Sequence, residues 1–244
     1  MGNLKQLVMI ITGLLLGGLS LLTALPSLDS EPPKDAEFTY ARIRYHMTPD
    51  FVRVREVPWH HDYPYGDELF PTFLKEVTNI HTASTAYQIV DIDSPELFKY
   101  PFAYLCEPGY LELNEKDTKN FREYLERGGF VLVDDFRGPA HLNNLVYQMK
   151  KVFPDRDIIP LTIAHPVFDS FYKMESLNMR PPYGRGPVEF LGIEDDHGRL
   201  MMVINYNNDL SELWEWLDEG RASLHDAAES LKFGTDYVMY ALTH

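Results

Sequence analysis

The chain has 244 residues, 13% of them aromatic, and its 37 acidic against 22 basic side chains give a formal net charge of −15. That charge argues against non-specific nucleic-acid binding and against a protein body lying on anionic lipid, so no nucleic-acid partner is expected. The single cysteine, Cys106, excludes an intramolecular disulfide and a Cys-rich zinc site.

Residues 7–25 (LVMIITGLLLGGLSLLTAL) carry no charge and follow Lys5. A short basic start before an apolar run reads as a secretory signal, and the run is also long enough to cross a bilayer as a helix. The expected organisation is a signal peptide or membrane anchor over 1–25, a polar Pro-containing linker over 26–37, and one folded domain over 38–244. That domain is expected to be exported across the cytoplasmic membrane. It is then either periplasmic or extracellular, or held at the inner membrane by an N-terminal hydrophobic helix. Roughly 210 residues are enough for one sizeable core.

Residues 38–46 (FTYARIRYH) alternate as a strand, with Arg42 and Arg44 on one face. A loop over 48–66 holds the unusual run Trp59-His60-His61-Asp62-Tyr63. Asp67 can cap a helix running to about residue 79, whose first turn is the only place for Pro71. A strand follows over 86–92. Residues 102–138 then read as apolar run, acidic turn (Glu107-Pro108-Gly109), helix capped by Asn114, Gly128-Gly129, and a second apolar run ending on Asp134-Asp135. Strand, crossover helix and strand form a βαβ unit and imply a parallel sheet. Ligands of such sheets bind beyond the carboxyl ends of the strands, where both runs carry carboxylates.

The spacing predicts a helix over 140–153, a short extended piece within 155–163, and a long loop from His165 to Gly186. Two strands over 187–193 and 199–206 are joined by the turn Asp195-Asp196-His197-Gly198. Helices are expected over 210–218 and 224–242, the second interrupted at Gly234.

Several residues are candidates for chemistry. Glu107 and Asp135, with His165 held extended by Pro166, have the types needed for acid–base work. Asp134 and Asp135 occupy successive strand positions that point to opposite faces, so only one need face the site; there it can orient a water or act as general base, or the strand end holds only a helix cap or hydrogen-bonded turn. Either can bind a cation. His60, His61 and Asp62 can reach a ligand or form an aromatic lid. Asn205, Asn207 and Asp209 can line a polar pocket or supply turns and a helix cap. Arg42 and Arg44 are expected to pair with Asp134, Asp135 or Glu107, because buried arginine needs a carboxylate; Arg137 stands next to the acidic pair. Cys106 lies within a strand and reads as a buried, inert thiol. No sequence feature defines a cofactor or a particular metal.

Eight segments together resemble one bacterial family: 38–45 (FTYARIRY), 59–64 (WHHDYP), 100–113 (YPFAYLCEPGYLEL), 126–136 (ERGGFVLVDDF), 152–156 (VFPDR), 165–172 (HPVFDSFY), 195–210 (DDHGRLMMVINYNNDL) and 233–244 (FGTDYVMYALTH). This is the DUF4159 family, a domain of unknown function. The resemblance implies an α/β three-layer sandwich with a mainly parallel, flavodoxin-like sheet of the class I glutamine amidotransferase-like type. It also implies a frequent N-terminal membrane or export segment, and it brings no activity with it. An active amidotransferase places a cysteine on a strand-to-helix elbow. Here the second apolar run ends in Asp134-Asp135-Phe136, and Cys106 precedes Glu-Pro-Gly, where Pro108 is expected to prevent such an elbow. Two functions follow as expectations: a non-catalytic envelope module binding a partner protein or small molecule at the strand ends, or a hydrolase acting on a glycan or other envelope substrate through strand-end carboxylates.

Overall fold

Four strands carry the centre of the sheet because their residues are buried on both faces and mostly apolar: β1 (Phe38–Arg44), β3 (Phe102–Cys106), β4 (Phe130–Phe136) and β7 (Leu200–Tyr206). Strands buried on both sides read as continuous apolar runs and need helices above and below. The computed structural model describes residues 36–48, 57–183 and 186–244. The expected signal or anchor over 1–25 and most of the linker lie outside them. Among the described residues no helix is long and apolar enough to cross a membrane.

The sheet has seven strands in the order β2-β1-β3-β4-β7-β6-β5, completed by β2 (Thr82–Asp91), β5 (Ile159–Pro160) and β6 (Glu189–Glu194). The first five positions are parallel, and β6 runs antiparallel to both β7 and β5. This is a mixed α/β sheet, mostly parallel, as the βαβ pattern implied. On one face α1 (Tyr65–Val77), α4 (Leu210–Glu219) and α5 (Leu224–Thr243) pack over Tyr40, Phe102, Leu132 and Val203. On the other, α2 (Glu115–Glu126) and α3 (Gly138–Val152) pack over Ile43, Leu105, Val133 and Ile204. The chain leaves β1 through α1 to β2 and returns to the other side of β1 as β3. The strand order therefore reverses between β1 and β3, which is where an open sheet leaves a crevice at its carboxyl edge.

Three local expectations change. Asp67 is not a cap: α1 begins at Tyr65, and Asp67 in its first turn turns inward to Arg42. Pro71 consequently lies inside the helix and not in its first turn. The α5 helix runs unbroken through Gly234. A Cβ there would sit 2.6 Å from Phe70 and 2.8 Å from Trp214, whose rings stack at 4.3 Å, so glycine admits the close approach of three helices. Gly234→Ala is expected to lower stability by about 1–3 kcal/mol through overpacking, even though alanine favours helix by about 1 kcal/mol. Urea unfolding checks this; a stabilised variant would mean that the helices separate without cost.

Candidate functional site

The carboxyl ends of β1, β3, β4 and β7 converge with two loops and the start of α4. Among the described residues, four non-glycine residues adopt left-handed backbone: Asp62 (φ 58°), Glu107 (φ 45°), Asp135 (φ 52°) and Asn207 (φ 56°). All four belong to this end of the sheet. Asp and Asn tolerate that region better than most residues; for Glu107 it carries strain that the surroundings must hold. The buried Tyr45 hydroxyl does so, lying 2.9 Å from the Cys106 carbonyl and 2.7 Å from the Glu107 carbonyl.

Cys106 stays within β3 and no α-helix opens directly after it, so the cysteine elbow that Pro108 was expected to prevent is not formed; the bend falls on Glu107, which makes an elbow of its own. The chain turns left-handed at Glu107 and enters a short 3-10 turn, Pro108–Tyr110, with the proline in its first position, where no N–H is needed. Gly109 is required behind it, because a Cβ would lie 2.2 Å from the His141 ring. His141 thus packs against the back of the elbow.

The two aspartates of β4 part company, but not onto opposite faces. The pairing of β4 with β7 shifts register between Val133 and Phe136, and Asp135 is left-handed within that irregularity. A bulge of this kind re-aims a side chain. Asp134, fully buried, accepts the backbone N–H groups of Leu210 (2.7 Å) and Ser211 (3.2 Å) and the Asn205 amide (3.3 Å). It fixes the amino end of α4, where a carboxylate suits the helix dipole. Burial pushes its carboxyl up to about 6 against the pull of those donors. Asn205, also bonded by the Tyr237 hydroxyl at 3.0 Å, is part of this interior support. Asn207 is likewise structural: it accepts the Gly138 N–H at 2.9 Å and donates to the Pro187 carbonyl at 2.9 Å.

Asp135 is the hub. Its Oδ2 lies 2.7 Å from His61 Nδ1 and 3.6 Å from Cys106 Sγ, and its Oδ1 accepts from Arg137 at 3.0 Å. Arg137 also donates to Asp209 at 3.1 Å and lies over the Tyr183 ring at 4.4 Å. Asp209 caps α4 through the Glu212 N–H (3.0 Å), and one of its oxygens lies within 4.8 Å of oxygens of Asp62 and Asp135. Asp62 accepts from Ser211 Oγ at 2.9 Å, and Tyr183 donates to Glu212 at 2.6 Å. Asp135 and Asp209 are buried, whereas His61 and Arg137 each leave about 30% of the side chain exposed at the mouth.

Burial, then the charges of Asp62 and Glu107, raise the Asp135 carboxyl well above its usual range. Burial and the neighbouring Asp135 and Asp62 do the same to Asp209, and burial with Asp62 raises Glu212. Burial and then Asp135 raise the Cys106 thiol. Burial works against the charged form of His61, but Asp62, Glu107, Asp209 and Glu212 outweigh it and raise its pKa. The pocket gathers more negative charge than Arg137 and His61 offset, so protons or a cation must balance it. Ligand atoms of His61, Cys106 and Asp135 lie within 4.8 Å of one another, as do those of Asp62, Asp135 and Asp209, and those of Asp62, Glu212 and Glu215.

Not every candidate belongs here. Arg42 does not pair with Asp134, Asp135 or Glu107. It is fully buried and forms a fork with Asp67 (2.8 and 2.5 Å), because α1 brings that residue over β1. Its remaining nitrogen donates to the carbonyls of Trp59 (3.2 Å) and His61 (2.9 Å). Arg42 therefore positions the loop that carries His61 and Asp62. Arg44 pairs with Asp91 of β2 beside a separate cleft of about 390 Å³ that Trp59 and His46 also line. His60 packs between Trp59 and Tyr63 (ring centroids 5.3 and 4.4 Å) as part of an aromatic lid. His165 is at the other end of the sheet. It faces Glu194 at the end of antiparallel β6 (3.3 Å) and the ring of Tyr240, whose hydroxyl meets the first residue of β7. Glu107, Asp135 and His165 thus do not form one site.

Sequence reasoning missed Glu212, Tyr183 and Ser211. Glu212 had a signal, since an acidic residue three after a capping Asp marks a helix start. Tyr183 sits in an aperiodic loop and had none.

Comparison with curated proteins gives no match. The family described as "Domain of unknown function (DUF4159)" matches residues 39–242, which take in every residue of this pocket. With nearly the whole described domain covered, the chain belongs to the DUF4159 family.

Proposed function

We propose that this is a non-nucleophilic ligand-binding domain of the glutamine amidotransferase-like, flavodoxin-like kind, exported or anchored at the cell envelope by its N-terminal segment. It takes a small molecule or a partner's side chain at the strand ends. The observation that carries the reading is the elbow: Glu107 occupies the left-handed position after β3, and the thiol lies one residue earlier, fully buried. A thiol raised by burial and beside a carboxyl is a poor nucleophile. The strand order 2-1-3-4 supports the flavodoxin-like assignment, and the apolar run 7–25 supports export.

Iodoacetamide labelling of the native, chelator-treated protein tests this. Cys106 is expected to react at least about tenfold more slowly than a free thiol. Rapid stoichiometric labelling, or glutaminase turnover, would overturn the non-nucleophilic reading. Hydrolysis of an envelope glycan is the second reading, favoured by the 2.7 Å contact between His61 and Asp135, a pair suited to proton transfer. Turnover of such a glycan by the purified protein, lost in Asp135→Asn, would establish it over binding alone.

A further inference from the structure

We propose that the strand-end pocket binds one thiophilic divalent cation of the zinc class, through Cys106 Sγ, His61 Nδ1 and Asp135 Oδ2, with a carboxylate of Asp62 or Asp209 as fourth donor. This rests on the reading of the strand ends as a ligand site and names what that site holds first.

Three donor types from three separate segments meet at one point. His61 Nδ1 is 2.7 Å and Cys106 Sγ 3.6 Å from the same oxygen of Asp135, and all three atoms lie within 4.8 Å of one another. Tetrahedral bonds to zinc of about 2.0–2.3 Å put neighbouring ligand atoms roughly 3.3–3.7 Å apart. The 3.6 Å edge already lies in that range and the 2.7 Å edge falls short of it by about 0.6 Å, so a small side-chain rotation that parts His61 from Asp135 reaches it. Asp62 and Asp209 each offer an oxygen within 4.8 Å of one Asp135 oxygen, and an Asp62 oxygen lies 3.3 Å from His61 Nδ1. A thiol with an imidazole selects zinc or cobalt; an all-oxygen set would select magnesium or calcium.

The supporting shell is built for fixed donors. Arg42, itself locked to Asp67, holds the His61 carbonyl at 2.9 Å. Tyr45 holds the carbonyls of Cys106 and Glu107, and Arg137 holds Asp135 at 3.0 Å. Such outer contacts orient metal ligands. On binding, the cation replaces the thiol proton, which leaves to solvent, and the sulfur–metal bond forms with the electron pair that held that proton. The double positive charge meets the carboxylates of Asp62, Asp135 and Asp209, which Arg137 alone does not neutralise.

Cobalt titration of the full chain, after removal of metal with a chelator, tests the assignment. The expected result is saturable binding of one equivalent, with tetrahedral visible bands, a near-ultraviolet thiolate-to-cobalt band and displacement by zinc. Cys106→Ser should abolish the near-ultraviolet band and weaken binding at least tenfold. His61→Ala, at a partly exposed position, should weaken it similarly while circular dichroism stays native; it serves if the buried serine variant does not fold. Absence of saturable binding overturns the cation site, and so does binding unaffected by Cys106→Ser or satisfied equally by calcium. A protein that resists alkylation yet binds no cobalt keeps the non-nucleophilic reading and loses this one. Rapid alkylation of the chelated protein loses the reading on which it rests.

Discussion

Arg42→Ala is expected to lower the unfolding free energy by about 3–5 kcal/mol, the usual cost of removing one partner from a buried ion pair. Arg42 and Asp67 are both fully buried, and removing the guanidinium strands a carboxylate within the α1 layer. The carbonyls of Trp59 and His61 lose their donor at the same time. Denaturant unfolding followed by circular dichroism measures the loss. The double variant Arg42→Met, Asp67→Leu separates the two roles. Apolar replacement of both partners of a buried pair is often neutral, so much of the stability should return. Cobalt binding should not, because the Trp59 and His61 carbonyls then lack the guanidinium that positions them. A double variant with wild-type binding would show that the loop keeps its place without Arg42.

The second large effect concerns pH. A carboxyl whose folded pKa lies above its unfolded value contributes stability that is complete below the unfolded value and is lost as pH rises through the folded one. Asp134, raised by burial to about 6, Asp135, raised by burial and by Asp62, and Asp209, raised by burial and by Asp135, all have this sign. In chelator, the protein should therefore be more stable at pH 5 than at pH 8. The loss begins above about 4, where unfolded aspartate ionises, and runs through the Asp134 value, with Asp135 and Asp209 adding to it in the same direction. Asp135→Asn removes one of the opposed charges, keeps an oxygen for Arg137 and suits the left-handed backbone. It should add about 1 kcal/mol at pH 8, in the range of relieved functional strain, and less at pH 5. The same change should abolish cobalt binding. Thermal unfolding at the two pH values decides the matter; a variant less stable than wild type at pH 8 would mean that the carboxylate's contacts outweigh its repulsion.

Much of the fold was legible because its causes are local. The alternation of 38–46, the apolar runs either side of α2 with its Asn114 cap, and the turn at 195–198 each specify an element with no reference to the rest of the chain. The site was legible as a place, since the carboxyl ends of β3 and β4 follow from the βαβ unit. Its membership was not. Arg42 found Asp67 because of how α1 crosses β1, a tertiary fact. Asp134 and Asp135 divided their labour through a bulge that no dipeptide announces. His165 was misjudged because β6 runs antiparallel, which puts its last residue at the far edge of the sheet. Cys106 read correctly as buried, but burial alone did not reveal the imidazole and carboxyl beside it.

The strand order also sets when the pocket comes into being. His61, Cys106 and Asp135 are all made by the time β4 pairs with β3, but Asp209 and Glu212 arrive only after β7 has been added along the outer edge of β4. A nascent chain, or one cut within the long loop before β6, would therefore carry an unpaired β4 edge with Asp134 deprived of its α4 donors. Such an edge invites pairing with other chains. The last quarter of the protein is what closes both the sheet and the pocket, so a shortened version exposes a sticky strand edge before it has a complete pocket.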